Sequence, residues 1–475
     1  MTASTLPGGT IQESTAAAAR FDAAGLERLI ATVATADWVT SLRRQAFERL
    51  ETLGLPDRRS ENWMRTDLRM FKPQAWGLRD WDVRSAPAAP PPALLAEAIL
   101  SGELIDAGGL GESEPGLGRR TAGALAGRFA AVDGRVVQDE LDPSLAARGV
   151  VFGSAERLLA ERPDALKPHW FSVIDSASDW FAALHAAFHA ASAVLYVPPR
   201  VKIVEPLHIV AGLTPGGVDT SHVLVVLDEG AEATVLTETV GGGAGGVDSG
   251  LHVGGTEIVV GENAFLRMVN LQNWNTGVWH FARQKAVVRG GGRLQWTLGA
   301  LGSRLSQVAQ EVALVGRHAD AQVNGVMFTE GRQQLVYNTL QHHEAAACKS
   351  DLLYKGALQD KSRLVWRGMI KVDKAAQKTD GYQRNDNLML SNTARSDSIP
   401  GLEIEADDVR CTHGATSGRV DAEQVFYAQA RGLTADEAAR LVVAGFFQQV
   451  FDRITIAPVR EALARAIGQR IRRIS

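Results

Sequence analysis

Cysteine is nearly missing from this chain. Among 475 residues there are two, Cys348 and Cys411. Two thiols cannot build a disulfide framework, and no Cys-x-x-Cys pair exists to hold a cluster within this chain. An excess of one charge is missing too. The net charge is −4, so nothing in the bulk argues for nucleic acid or an anionic membrane as partner. No apolar run approaches the roughly 20 residues that a membrane span requires. Met1 to Thr10 lacks the basic and apolar regions of a secretory signal, and with so few cysteines a reduced, cytoplasmic setting is expected. There is no Gly-x-Ser-x-Gly elbow and no Gly-x-x-x-x-Gly-Lys-Ser/Thr loop, so neither serine acyl transfer nor ATP hydrolysis by that route is expected. The glycine run from Gly241 lacks the flanks of a dinucleotide site and reads as a turn.

What is present is the composition of a globular protein, 45% hydrophobic and 22% charged, on a chain long enough for two or three domains. Phe21 to Leu53 has helical spacing, with Leu26, Leu29, Ile30, Val33, Leu42, Phe47 and Leu50, and Gly54 and Pro56 end it. Trp63 reads as a packing anchor. Residues 82–120 are rich in Ala, Pro and Gly, a linker or long surface loop. Arg128 to Val137 reads as a hairpin turning at Asp133-Gly134. Ala155–Leu159 and Asp179–Ala191 read as helices. On the latter, His185 and His189 share a face at zinc-binding spacing, but Ala186 stands where a zinc protease needs Glu, so two packed or solvated histidines are the preferred reading. Residues 1–190 are thus expected to form a mostly helical N-terminal domain with that linker.

From Tyr196 the texture changes. Short apolar runs such as Leu207–Val210, His222–Leu227, Thr256–Val260 and Lys285–Val288 are followed by turns at Gly230, Gly261, Gly290 and Gly316, about 25 to 31 residues apart. A repeat of strand, turn, strand marks a solenoid, in which coils stacked at about 4.8 Å bury a continuous apolar column. The expected fold is mainly β: a right-handed parallel β-helix over 191–420, flanked by N-terminal and C-terminal α-helical regions, with a jelly roll or sandwich as alternative. Residues 421–475 read as helices. Thr434 and Glu437 form a capping box, and Leu441, Val442, Phe446, Val450 and Phe451 lie on one broad stripe. The segment is too small for its own core, so it must pack on the β-domain, on a partner or on both. Phe446 and Phe447 are expected to meet a partner protein.

The chemistry concentrates near Cys411. If Leu402 to His413 is extended, Cys411 and His413 share a face, about 6.6 Å apart along the strand. Thiolate and imidazole suit iron, zinc or copper, but two ligands are half of a closed site. The rest must come from another strand, another chain or sulfide. His342, His343, Glu344 and Cys348 are further candidates. His342 and His343 face opposite ways on a strand and cannot chelate one ion, so structure is preferred there.

The stretch Ser396–Thr416, with Asp421–Tyr427 and Arg431–Leu433, resembles the C-terminal signature of SufD in the SufB/SufD family of SUF iron–sulfur assembly scaffolds. Ser60–Leu68, Trp180–Phe188 leading into Val197–Val201, and the run from Tyr337 to Tyr354-Lys355-Gly356 carry the likeness along the chain. The resemblance implies a parallel β-helix and a non-enzymatic scaffold that pairs with a SufB-type homologue. It implies C-terminal helices that dock a SufC-type ATPase, whose ATP-driven pairing opens the scaffold interface. It also implies a nascent iron–sulfur cluster shared there and not bound permanently by one chain. His413 matches the SufD histidine that meets cluster atoms, and Cys411 the neighbouring cysteine. A homodimer is possible in isolation. The alternatives are a SufB-type subunit or a cytosolic β-helix carbohydrate-active enzyme.

Overall fold

A computed structural model describes residues 19–471 except 34, 58, 79–88, 90, 96–124, 244 and 246–248. The Ala/Pro/Gly-rich stretch expected at 82–120 lies outside the described residues apart from 89 and 91–95. From Leu207 the chain alternates between two sheets. One stacks eight parallel rungs: Leu207–Leu213, Glu232–Gly241, Phe265–Trp274, Arg293–Ala300, Asp320–Thr329, Lys349–Leu358, Thr379–Met389 and Val409–Arg419. The other stacks His222–Leu227, Leu251–Val260, Trp279–Val288, Leu305–Leu314, Gln334–His343, Arg363–Val372 and Arg395–Ile404. Trp279 pairs with Leu305 and Glu232 with Phe265, so one coil takes 26 to 33 residues. Successive strands never pair with each other in this region; each pairs with the strand one coil away. That connectivity is a parallel β-solenoid and excludes the jelly roll.

The corners explain the glycine spacing. Gly230, Asn263, Gly291, His318, Ala347 and Lys378 each adopt a left-handed backbone, φ 55° to 65°. Each amide donates to a carbonyl one coil on, as Gly230 to Glu262 at 2.8 Å and Ala347 to Gln377 at 2.8 Å. Gly and Asn enter this conformation most easily. The early coils therefore advertise their corner and the later ones, turning on His318, Ala347 and Lys378, do not. The following residue points inward and is small: Ala231, Ala264, Ala319 and Cys348 are all buried. Cys348 takes an alanine place in this ladder, a small buried hydrophobe whose thiol donates to Gly316 O at 3.1 Å. Further in, Trp296, Tyr337, Tyr354 and Trp366 fill the column with the aliphatic side chains of the inward positions.

Both flanks are clad. Leu26, Leu29, Phe47 and Phe181 pack with Leu251, Val253 and Phe281 on the outside of the second sheet. Trp63 stacks on Phe181 at 5.2 Å, the anchor role expected of it. The helix expected from Phe21 to Leu53 is in fact two, Ala23–Thr32 and Asp37–Thr52, the first capped by Asp22, which accepts from Gly25 N at 2.8 Å. On the first sheet, helices Ala435–Phe451 and Ala457–Arg470 cover Val269, Leu271, Val326, Phe328 and Leu353. The Thr434–Glu437 capping box is formed.

The two ends differ. At the start, Gly127–Val132 pairs parallel with Leu207–Leu213 and antiparallel with Arg135–Leu141, turning at Asp133 and Gly134. Val151–Ser154 closes the second sheet antiparallel to Ala193–Val197. The sheets therefore begin at Gly127, well before residue 191, because the expected hairpin is built into them. At the far end no described strand pairs with the outer edges of Arg395–Ile404 and Val409–Arg419. There inward-facing Leu402 and Ile404 remain 37% and 40% exposed.

Candidate functional site

The open end carries both residues singled out by the sequence. Strand Val409–Arg419 pairs in register with Thr379–Met389, setting Cys411 beside Gly381 and His413 beside Gln383. Thr379, Gly381, Gln383, Asn385 and Asn387 alternate as the buried, inward set of their strand, so the matching positions of the last rung, Cys411 and His413 among them, also face inward. They share a face because a strand repeats every two residues. Their surroundings differ. Cys411 is half-buried against Ile370, Val372, Ala376 and Ala406. Burial pushes its thiol above the ordinary value, Asp380 adding to the effect and a backbone bond at Gly381 opposing it. His413 is exposed. Among the described residues no strand stacks above either, since theirs is the final rung.

The floor beneath is polar. Gln383 is fully buried. Its amide nitrogen donates to Gly401 O at 2.9 Å, while its amide oxygen has no partner. Ser398 donates to Asn385 Oδ1 at 2.6 Å, and Asn387 Nδ2 reaches the same oxygen at 2.7 Å. On the outer side Thr416 donates to Asp386 at 2.6 Å and Arg410 pairs with Asp380 at 2.6 Å. No group of three or more His, Cys, Asp or Glu among the described residues is arranged to hold a metal ion. The end supplies ligand atoms but not a closed site.

His342 and His343 point to opposite sides, as the strand period requires. His342 lies outside between Asp373, at 2.9 Å, and Glu344, at 3.3 Å. His343 is fully buried inside. His185 and His189 are buried under the N-terminal helices, packed around Phe171. His189 Nδ1 lies 3.0 Å from Ala186 O. Burial pushes both well below the usual histidine range, with neighbouring cationic groups adding to it. Gln383 and the polar floor carry no signal in the local sequence, because they depend on a register between strands that no local pattern encodes.

The C-terminal tail corrects one expectation. Phe447 is fully buried against the chain's own first sheet. Phe446 is partly covered there too, with Lys355 Nζ 4.8 Å above its ring and donating to its carbonyl at 3.0 Å. The apolar stripe closes on the solenoid, so Phe447 is sealed from another protein while Phe446 keeps part of its surface. Among the described residues of the tail, the large exposed apolar side chains are Phe426, Tyr427 and Leu441, 72%, 62% and 58% accessible.

Residues 211–446 match the family model for the SUF system FeS cluster assembly, SufBD core domain, and residues 126–209 match the SufBD protein N-terminal region. The chain belongs to the SufBD family. It is 34% identical over 295 residues to an iron-sulfur cluster assembly SufBD family protein of Mycobacterium tuberculosis, spanning 60% of this chain and 72% of that protein. It is 28% identical over 325 residues to a protein of the same description from Staphylococcus haemolyticus, spanning 68% and 70%. A SufBD protein is a component of iron–sulfur cluster assembly, so the carbohydrate-active alternative is set aside. The N-terminal match begins at residue 126, where the first hairpin opens the sheets.

Proposed function

We propose that this chain is the SufD-type scaffold subunit, working in the cytoplasm. It pairs through the open solenoid end with a SufB-type homologue, and it presents His413 and Cys411 to a nascent iron–sulfur cluster shared at that interface. The observation that carries this reading is the unpaired final rung, with a thiol and an exposed imidazole on its inward face and no closed ligand set around them. A half-site at the edge of a stack is useful only if something else completes it. In isolation the same edge would meet a second copy of the chain. Phe426, Tyr427 and Leu441, on helices braced against the solenoid, are the surface offered to a SufC-type ATPase. Nucleotide-driven movement there would be carried to the sheets by the buried stripe around Phe447.

The test is co-expression with the homologue and the ATPase, followed by anaerobic cluster reconstitution. His413→Ala removes one exposed side chain, so the complex should assemble normally while cluster per complex collapses. Normal yield would mean that the histidine is not a cluster ligand.

A further inference from the structure

Cys411 has a second imidazole near it, from the opposite sheet. A methyl group built on Gly381 would lie 3.2 Å from Cys411 Sγ and 3.6 Å from His343 Nε2, which bounds the separation of those two atoms at 6.8 Å. The register explains the meeting. Gly381 sits between Ser350 and Cys411 in the first sheet, and His343 is the last residue of Gln334–His343 in the second. Having no Cβ, Gly381 leaves open the space that both side chains approach. His343 Nε2 lies 2.8 Å from Ser350 Oγ, and Gln341 Nε2 donates to that same oxygen at 2.6 Å. The Ser350 hydroxyl can give its hydrogen to His343 Nε2 in one ring tautomer and accept from it in the other. In the first tautomer the ring proton sits on Nδ1, which is buried without a partner. In that tautomer the nitrogen turned toward Gly381 carries the lone pair that a metal takes.

We infer that Cys411 and His343, meeting across Gly381, form an inner two-ligand half-site for a thiophilic divalent cation of the ferrous or zinc class, distinct from the exposed ligand His413. This rests on the proposed role of the chain end in handling cluster iron. One thiolate and one imidazole suit such an ion. Bonds of about 2.3 Å to sulfur and about 2.0 Å to nitrogen hold two ligands no more than about 4.3 Å apart. Any excess is closed by Cys411, on the outermost rung with no strand beyond it. On binding, the thiol proton leaves to solvent, the metal replaces the Ser350 hydroxyl at Nε2, and the remaining positions stay open to water, sulfide or a partner's ligand.

The test uses the isolated full chain in a Cys348→Ala background, titrated anaerobically with Co²⁺ and followed by the near-ultraviolet thiolate-to-metal band. One Co²⁺ per chain is expected. Cys411→Ser should abolish the band. His343→Gln should weaken binding at least tenfold, Gly381→Ala should do the same by filling the gap, and His342→Gln, on the outer face of the same strand, should leave it unchanged. Far-ultraviolet circular dichroism checks each fold, and if Gly381→Ala fails to fold the His343→Gln titration decides. No band at millimolar Co²⁺, equal affinity in His343→Gln, or loss in His342→Gln would each overturn the inner pair. Cluster yield in the His413→Ala complex is a separate measurement, so the proposed function can fail while the Co²⁺ titration still decides this half-site.

Discussion

The tail contains two kinds of phenylalanine, and they should fail in opposite ways. Phe447 is fully buried among Phe328, Val326 and Leu353 of the first sheet. Replacing it by Ala deletes an aromatic side chain from a packed interface that cannot fully collapse, at a cost of about 3–5 kcal/mol. Phe426 is 72% exposed, and Phe426→Ala should change stability by no more than about 0.5 kcal/mol. If Phe426 anchors the ATPase, the same substitution should cost about 2 kcal/mol or more of binding, roughly thirtyfold in affinity. A chain of stacked coils need not unfold in one step, so hydrogen exchange is the suitable stability assay. Amides of Ala435–Phe451 should lose protection in Phe447→Ala while those of the strands keep it. Calorimetric titration with the purified ATPase gives the other half. Unchanged protection in Phe447→Ala would refute the packing argument. Full affinity in a folded Phe426→Ala, Tyr427→Ala double variant would refute the docking surface.

Acid should loosen the structure from its buried histidines. His185, His189 and His280 are held well below the usual histidine range by burial, and His343 is lowered to about 4 by burial with His342 adding to it. In each the unfolded state takes up the proton first, so stability is complete above about pH 6.5 and falls as pH drops; for His343 the loss runs down to about pH 4 and amounts to about 3 kcal/mol. Denaturant titrations at several pH values check this, and His343→Asn should flatten the slope between those limits; an unchanged slope would refute it. A second packing prediction concerns Gly325, where any Cβ would overlap the Tyr354 ring. Gly325→Ala should destabilise by about 1–3 kcal/mol, and Tyr354→Leu in the same chain should recover part of that in thermal unfolding.

Most of the solenoid was legible because its signal is local. Alternation and corner glycines repeat within one coil, and each coil is self-similar. The tail helices were legible for the same reason, through a cap and a stripe. What was lost depended on partners distant in sequence. The stripe of Ala435–Phe451 shows that a face must be covered but not by what, and the chain's own sheet covers it. The hairpin at Asp133-Gly134 is plain, yet nothing local says that Gly127–Val132 lies along Leu207–Leu213, so the β core seemed to begin too late. His343 was visible as a possible ligand, but its approach to Cys411 passes through two registers and a glycine at position 381. That arrangement has no spacing to be read.

The placement of the ligands follows from the stack itself. Rungs in one sheet lie about 4.8 Å apart, and here the space between the sheets is filled through the middle coils by Trp296, Tyr337, Tyr354 and Trp366. A cluster of iron and sulfide has no room in such a column without breaking the ladder. Ligands within a middle coil would be sealed from iron, sulfide and a second protein alike. At the last rung the constraint lifts, since Cys411 and His413 have a coil beneath them and none above. An exposed pair of unpaired strands is also a hazard, an edge that invites wrong partners. The first end is closed by antiparallel strands; among the described residues the last keeps its edges bare. Closing one end and leaving the other open makes the final rung the place where the proposed partner chain would both satisfy the strands and complete the proposed ligand set.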